Sequence, residues 1–179
     1  MPVEVAPPAP TQRLFFALWP QQELREQLAR LARDVPAYGR PVADHNLHLT
    51  LVFLGNITED TRNCLSAAAA ELHVPRFALT LDQPGYWPKP RIVWLGASHI
   101  PDALLALVDG LNVAETMCGL TPESRGYQPH ITLLRKADRP KGELLVQPLV
   151  WKAESFCLVE SSNETHGVVY RILGSWNLD

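Results

Sequence analysis

A chain of 179 residues, 46% hydrophobic and 20% charged, has the make-up of an ordinary globular protein, long enough for one good core or two small lobes sharing a seam. Its formal net charge of -3 excludes bulk attraction to nucleic acid, so a polyanionic partner would have to be held by a local cluster of basic groups. No apolar run approaches the length of a membrane span, and the opening MPVEVAPPAP has neither the basic start nor the apolar stretch of a secretory signal.

Four prolines in the first ten residues predict a flexible tail over residues 1–11, with a single bilobal domain over 12–179. Arg13 to Trp19 is a short apolar and aromatic run ended by Pro20, as a buried strand would be. From Gln21 to Ala32, Leu24, Leu28 and Leu31 recur at helical spacing among charges. A strand follows from Leu47 to Leu54, closed by Gly55-Asn56. Thr58 suits the N-cap of a helix running from Glu59 to about Leu72. Phe77 to Leu81 alternates as a strand, and the prolines of Gly85 to Pro90 predict a loop.

The order then repeats. Arg91 to Gly96 reads as a strand, Pro101 to Met117 as a helix, Gly119 to Gln128 as a loop, and His130 to Arg135 as a strand. Two further strands are expected near Trp151 to Glu160 and Val168 to Ser175. Arg13 lies 35 positions before His48, and Arg91 lies 39 before His130. This duplication predicts an α+β fold of two pseudo-symmetric lobes, each a mostly antiparallel sheet with helices outside, and an active-site groove between them. The three cysteines, Cys64, Cys118 and Cys157, are odd in number and form no C-x-x-C pair; they read as reduced thiols in a cytoplasmic protein. A monomer is expected.

The chemistry concentrates in His48-Leu49-Thr50-Leu51 and His130-Ile131-Thr132-Leu133. Side chains alternate across a strand, so each histidine shares a polar face with its threonine while the intervening residues face a core. One His-x-Thr on a strand carries little information. Two at matching places in a duplicated unit carry much more, because a packing role does not require the same polar pair to recur. Two imidazoles flanking one space suit hydrolysis of a cyclic phosphodiester: one takes a proton from water, the other protonates the departing oxygen. The groups belong on opposite sides of phosphorus, since attack and departure are roughly in line. Thr50 and Thr132 are candidates to donate to the non-bridging oxygens. No Asp or Glu stands at ligand spacing beside either motif, and glycine-rich phosphate loops and a Gly-x-Ser-x-Gly elbow are absent, so neither a metal nor another cofactor is expected.

The stretches RLFFALWP, NLHLTLVFLG, RIVWLG and PHITLLRK, with the spacing between them, resemble the 2H phosphoesterase superfamily. Within it the chain is most similar to the bacterial RNA 2',3'-cyclic phosphodiesterases once named 2'-5' RNA ligases. The resemblance covers Arg13 to Lys136 and implies metal-free hydrolysis of RNA ends bearing a 2',3'-cyclic phosphate to 2'-phosphates. It also implies that His48 donates a proton to the 3' oxygen and that His130 accepts one from water. The alternatives are 2'-5' ligation by the reverse steps, and a non-catalytic RNA or nucleotide-binding module of the same fold.

Among supporting residues, Arg135 is a phosphate-binding candidate, although strict alternation puts it on the wrong face unless the strand ends or bulges. Tyr127 and Phe15 are candidates for base stacking, with Tyr86 and Trp87 behind them. Lys89, Arg91 and Arg125 are candidates for an electropositive rim. His45, His73, His99 and His166 lack the motif and read as surface or loop residues.

Overall fold

The chain enters a sheet early. In a computed structural model describing residues 9–142, 144–165 and 167–179, β1 (Thr11–Leu18) already begins at Thr11. Residues 1–8 of the expected tail, and His166, lie outside the described residues. After α1 (Gln22–Asp34) come β2 (Arg40–Pro41), a 3-10 turn at Asp44–Asn46, and β3 (Leu49–Thr58). Next are α2 (Glu59–Ala70), β4 (Phe77–Leu81), β5 (Gln83–Trp87), β6 (Ile92–Gly96) and α3 (Asp102–Met117). The chain finishes with β7 (His130–Arg135), β8 (Leu149–Ala153), β9 (Ser155–Glu164) and β10 (Gly167–Asn177). Thr58 caps α2 as its sequence suggests, its hydroxyl accepting from the Thr61 amide at 3.3 Å.

The architecture is α+β, and every strand pair among the described residues is antiparallel. The main sheet runs β10-β9-β1-β3-β7-β6-β5, with β2 added to β7, while β4 and β8 form a separate pair. Its centre is the duplication made physical. β3 has β1 and β9 outside it, β7 has β6 and β5 outside it, and the two histidine strands pair at one position, Leu49 opposite Ile131, while β1 with β9 and β2 with β7 also join the repeats. Leu49 and Ile131 are fully buried, in one core with Leu28 of α1, Leu65 of α2, and Leu104, Leu107 and Leu111 of α3. The helices therefore hold the apolar face of both histidine strands, which leaves the opposite face to the groove.

Four expectations need correction. Gly85, Tyr86 and Trp87 belong to strand β5, not a loop. Gly85 pairs with Trp94, whose indole fills the place of the missing side chain: a Cβ there would lie 2.1 Å from the ring. β3 continues through Gly55 and Asn56, because Gly55 takes a left-handed φ of 73° at an irregularity in the β1/β3 register and pairing resumes beyond it. The strand expected over Trp151 to Glu160 divides at Glu154, with β8 leaving for β4 and β9 joining the main sheet. Finally, Cys64 and Cys118 form a disulfide that ties α2 to the C-cap of α3, and only Cys157 is free, buried against Phe15 and Ala17. The spacing of thiols along the chain could not show that two helices from different halves bring them together, and the argument from reduced thiols to a cytoplasmic setting loses its ground. Among the described residues no helix is long and apolar enough to cross a membrane.

Candidate active site

The single bridge between β3 and β7 sets the geometry. With Leu49 opposite Ile131 in antiparallel register, one step either way puts His48 across from Thr132 and His130 across from Thr50. These four residues line one cavity of about 640 Å³, together with Phe53, Trp87, Lys89, Arg125, Tyr127 and Arg135. Neither threonine hydroxyl has a protein partner among the described residues, so both are available to a ligand in the cavity.

Both histidine strands bulge, at equivalent places. Ala17 pairs with Thr50 but Phe16 with Val52, so Leu51 is the extra residue in β3; Trp94 pairs with Thr132 but Val93 with Leu134, so Leu133 is the extra residue in β7. Each is the third residue after its histidine. A bulge reverses alternation beyond it. Leu133 and Leu134 are therefore both buried, and Arg135 emerges on the side of His130, where it lines the cavity. The same device in β3 buries Leu51 and Val52 and brings out Phe53, which is 47% exposed on the cavity wall. Arg135 and Phe53 thus occupy matching positions in the two halves. Strict alternation from the sequence puts Phe53 with Leu47, Leu49 and Leu51 on the core face; the bulge corrects this and turns it to the groove. One side of its ring is covered by Arg13, whose guanidinium carbon lies 4.7 Å from the ring centroid.

Each imidazole is held by the backbone two residues before it, just ahead of its strand. His48 Nδ1 lies 2.7 Å from the Asn46 carbonyl oxygen, and His130 Nδ1 lies 2.8 Å from that of Gln128. A carbonyl only accepts, so Nδ1 carries the hydrogen in both residues and Nε2 is the atom free to exchange a proton. The Asn46 side-chain amide in turn donates to the Val168 carbonyl at 3.1 Å, which ties this anchor to β10. Aromatic rings complete the supports. Trp19 stacks on His48 at 5.2 Å and 4° between planes, with Tyr170 edge-on at 5.0 Å and Phe15 at 4.9 Å. Trp87 meets His130 edge-on at 4.6 Å. Burial among these groups pushes His48 down to about 4, helped by the charges of Arg135 and His130. His130 is lowered for the same leading reason, with Arg135 again contributing. Arg135 and both imidazoles line the same cavity.

Other expected site residues are placed as follows. Phe15 is corrected: it is 4% exposed, packed beneath His48 and against Tyr170, and presents no ring face to a ligand. Tyr127 lines the cavity, but its hydroxyl donates to the Thr50 carbonyl at 3.2 Å, tying the loop before β7 to β3. Burial raises its phenol well above the ordinary value. Arg125 lines the cavity while paired with Glu123, and Arg91 is paired with Asp138. Lys89 stands on the cavity wall, whereas the Tyr86 hydroxyl donates to the Ala137 carbonyl at 3.2 Å and is not part of that wall. His45 and His99 are exposed, and His73 pairs with Asp179 at 3.3 Å. Among the described residues no three His, Cys, Asp or Glu side chains are grouped as a metal site requires.

Comparison with known proteins agrees with this internal symmetry. The LigT like Phosphoesterase family matches twice, over residues 18–94 and 95–170. An RNA 2',3'-cyclic phosphodiesterase of Escherichia coli is 44% identical over 128 residues, 70% of this chain and 73% of that protein. A protein of the same name from Thermus thermophilus is 34% identical over 93% of this chain and 90% of its own length. Among solved structures, E. coli LigT complexed with 3'-AMP superposes with a TM-score of 0.85 at 37% identity, covering 94% of this chain and 98% of that one. The twofold match divides the chain where its strand and helix order repeats, each part containing one His-x-Thr strand, and on these grounds the chain belongs to the LigT-like phosphoesterases of the 2H phosphoesterase superfamily.

Proposed function

We propose that the groove hydrolyses RNA ends carrying a 2',3'-cyclic phosphate to 2'-phosphomonoesters by general acid and base catalysis, without a metal. The observation that carries this reading is the pair of imidazoles, each anchored through Nδ1 to a carbonyl two residues earlier, on strands joined by one bridge, with Arg135 on the wall of the same cavity. His130 Nε2 takes a proton from water as the water oxygen bonds to phosphorus. The bond from phosphorus to the 3' oxygen breaks, and His48 Nε2–H supplies the proton that completes the 3' hydroxyl. The direction of proton flow follows the family resemblance.

The chain's own residues serve both roles. Burial keeps His130 neutral, as a base must be. His48 must carry a proton when substrate is present. The phosphate's negative charge favours that, as does the face of Trp19 stacked on the imidazole. Arg135, Thr50 and Thr132 hold the non-bridging oxygens, where charge must be balanced during transfer. Phe53 offers its uncovered face to the base of the terminal nucleotide. The names of the relatives and the 3'-AMP bound to E. coli LigT support a nucleotide substrate.

Assay of His48→Ala and His130→Ala on an RNA with a labelled 2',3'-cyclic end tests the reading. Each variant is expected to lose about 10²–10⁴-fold in kcat, while a chelator leaves the wild type unchanged. Unimpaired turnover by either variant refutes the mechanism, and loss with chelator refutes its metal independence. Measured on the same RNA with an added 5'-hydroxyl acceptor, joining in excess of hydrolysis would favour ligation instead.

A further inference from the structure

The segment between α1 and the first histidine has features that the cyclic phosphate alone does not use. Arg40 of β2 stands directly across from Arg135 of β7. Cross-strand partners share a face of the sheet, with Cβ atoms about 5 Å apart, so Arg40 emerges beside the guanidinium that shares the cavity with both histidines. Val42, of the same parity as Arg40, lines the groove wall. The segment is pressed against β7: a Cβ on Gly39 would lie 3.1 Å from the Ala137 Cα and 3.4 Å from the Arg135 carbonyl oxygen.

Opposed like charges destabilise a strand pair, and such an arrangement persists most readily when an anion compensates it. Among the described residues neither Arg40 nor Arg135 has a carboxylate partner, whereas the rim residues Arg91 and Arg125 are both paired. Two residues before Arg40 is Tyr38, 79% exposed and one of two exposed aromatic side chains among the described residues; the other is Phe53. Lys89, on the opposite wall, lacks a comparable companion, because its aromatic neighbour Trp87 is engaged with His130 and Trp94.

We propose that Arg40 and Tyr38 form a second nucleotide subsite, taking the phosphodiester and base immediately 5' of the RNA end held in the groove. The subsite rests on the proposed function for its direction along the chain. Arg135 binds the terminal phosphate, and Arg40, one strand spacing away, is placed for the next phosphate of an extended strand. Tyr38 supplies a stacking face that suits any base. The enzyme on this account is an oligoribonucleotide end-hydrolase that tolerates, but does not prefer, a mononucleotide.

The test compares adenosine 2',3'-cyclic phosphate with a tetraribonucleotide ending in the same group. The wild type is expected to favour the tetramer about 10-fold in kcat/KM, the scale of one charge-assisted contact. Arg40→Gln abolishes that preference while leaving the mononucleotide rate in place, and Tyr38→Ala lowers the tetramer alone by about 5-fold. For the tetramer, the slope of log kcat/KM against log salt becomes shallower by about 0.7 in Arg40→Gln, one phosphate contact fewer. Equal use of both substrates by the wild type overturns the subsite, as does an Arg40→Gln variant that affects both alike or neither. If the wild type hydrolyses neither substrate, the proposed reaction fails on its own. The subsite is then decided by anisotropy of a labelled tetraribonucleotide 2'-phosphate: about 10-fold weaker binding by Arg40→Gln sustains it, and unchanged binding overturns it.

Discussion

Replacing Glu115 with methionine should stabilise the protein at alkaline pH far more than at acid pH. Glu115 lies in the last turn of α3, is 2% exposed, and is the sole buried charged residue among those described. Its Oε2 atom has no hydrogen-bond partner, and the nearest charge of consequence is another carboxylate, Glu123. Burial, with that like charge, pushes the Glu115 carboxyl up from 4.5 to about 7. Below pH 4.5 the group is neutral in folded and unfolded chains alike and costs nothing electrostatically. As pH rises from 4.5 to about 7 the unfolded chain releases a proton that the folded chain retains, so stability falls throughout that window and then levels. At about 1.4 kcal/mol per pH unit, the whole window is worth about 3 kcal/mol.

Methionine fills a similar volume in a helix and does not titrate. Its packing effect, of whichever sign, is the same at every pH. The informative quantity is therefore the difference between variant and wild type at about pH 8 minus that difference at about pH 4.5. It should be about 3 kcal/mol in favour of Glu115→Met, or about 6–12 °C in Tm for a chain of this size. Thermal unfolding followed by circular dichroism at the two pH values measures it. A difference independent of pH would refute the reasoning, by showing that the carboxylate finds a partner or water in the folded protein.

Removing the charge of Arg135 with Arg135→Met should lower kcat/KM about 10–100-fold, the worth of a charged contact to phosphate. Because the charge of Arg135 adds to the burial that lowers both histidines, the acid limb of the pH–rate profile should also move to higher pH, which a profile from about pH 4 to 9 would reveal. Phe53→Ala should raise KM for a cyclic mononucleotide about 5-fold or more while Phe53→Tyr retains the wild-type value, as steady-state kinetics would show. Replacing Cys64 and Cys118 together with serine opens a loop spanning 54 positions and should cost about 2–4 kcal/mol in denaturant unfolding, with a matching loss in the wild type on reduction.

Much of the site is legible along the chain, for a definite physical reason. Alternation in a strand is local, so the pairing of His48 with Thr50, and of His130 with Thr132, follows from adjacent residues alone. The duplicated order of strand and helix is equally legible, because apolar periodicity writes itself along the chain. Where tertiary contacts decide, the linear reading fails. The bulges at Leu51 and Leu133 are properties of strand pairing; they bring Arg135 into the groove and reveal Phe53, neither of which alternation allows. Gly85 reads as a loop residue until Trp94 fills its side-chain space from the neighbouring strand. The Cys64–Cys118 bond requires two helices from different halves to meet.

The sequence by itself singled out two histidines, the hydroxyl that accompanies each, and the residues of opposite parity that bury the strands carrying them. Only the tertiary structure decided that the two strands meet at Leu49 and Ile131, that Trp19 and Tyr170 enclose His48, and that one arginine shares the cavity with both imidazoles. The division has one cause. Facing and spacing within a strand depend on neighbours along the chain, whereas register, enclosure and charge coupling depend on segments that become neighbours when the core closes.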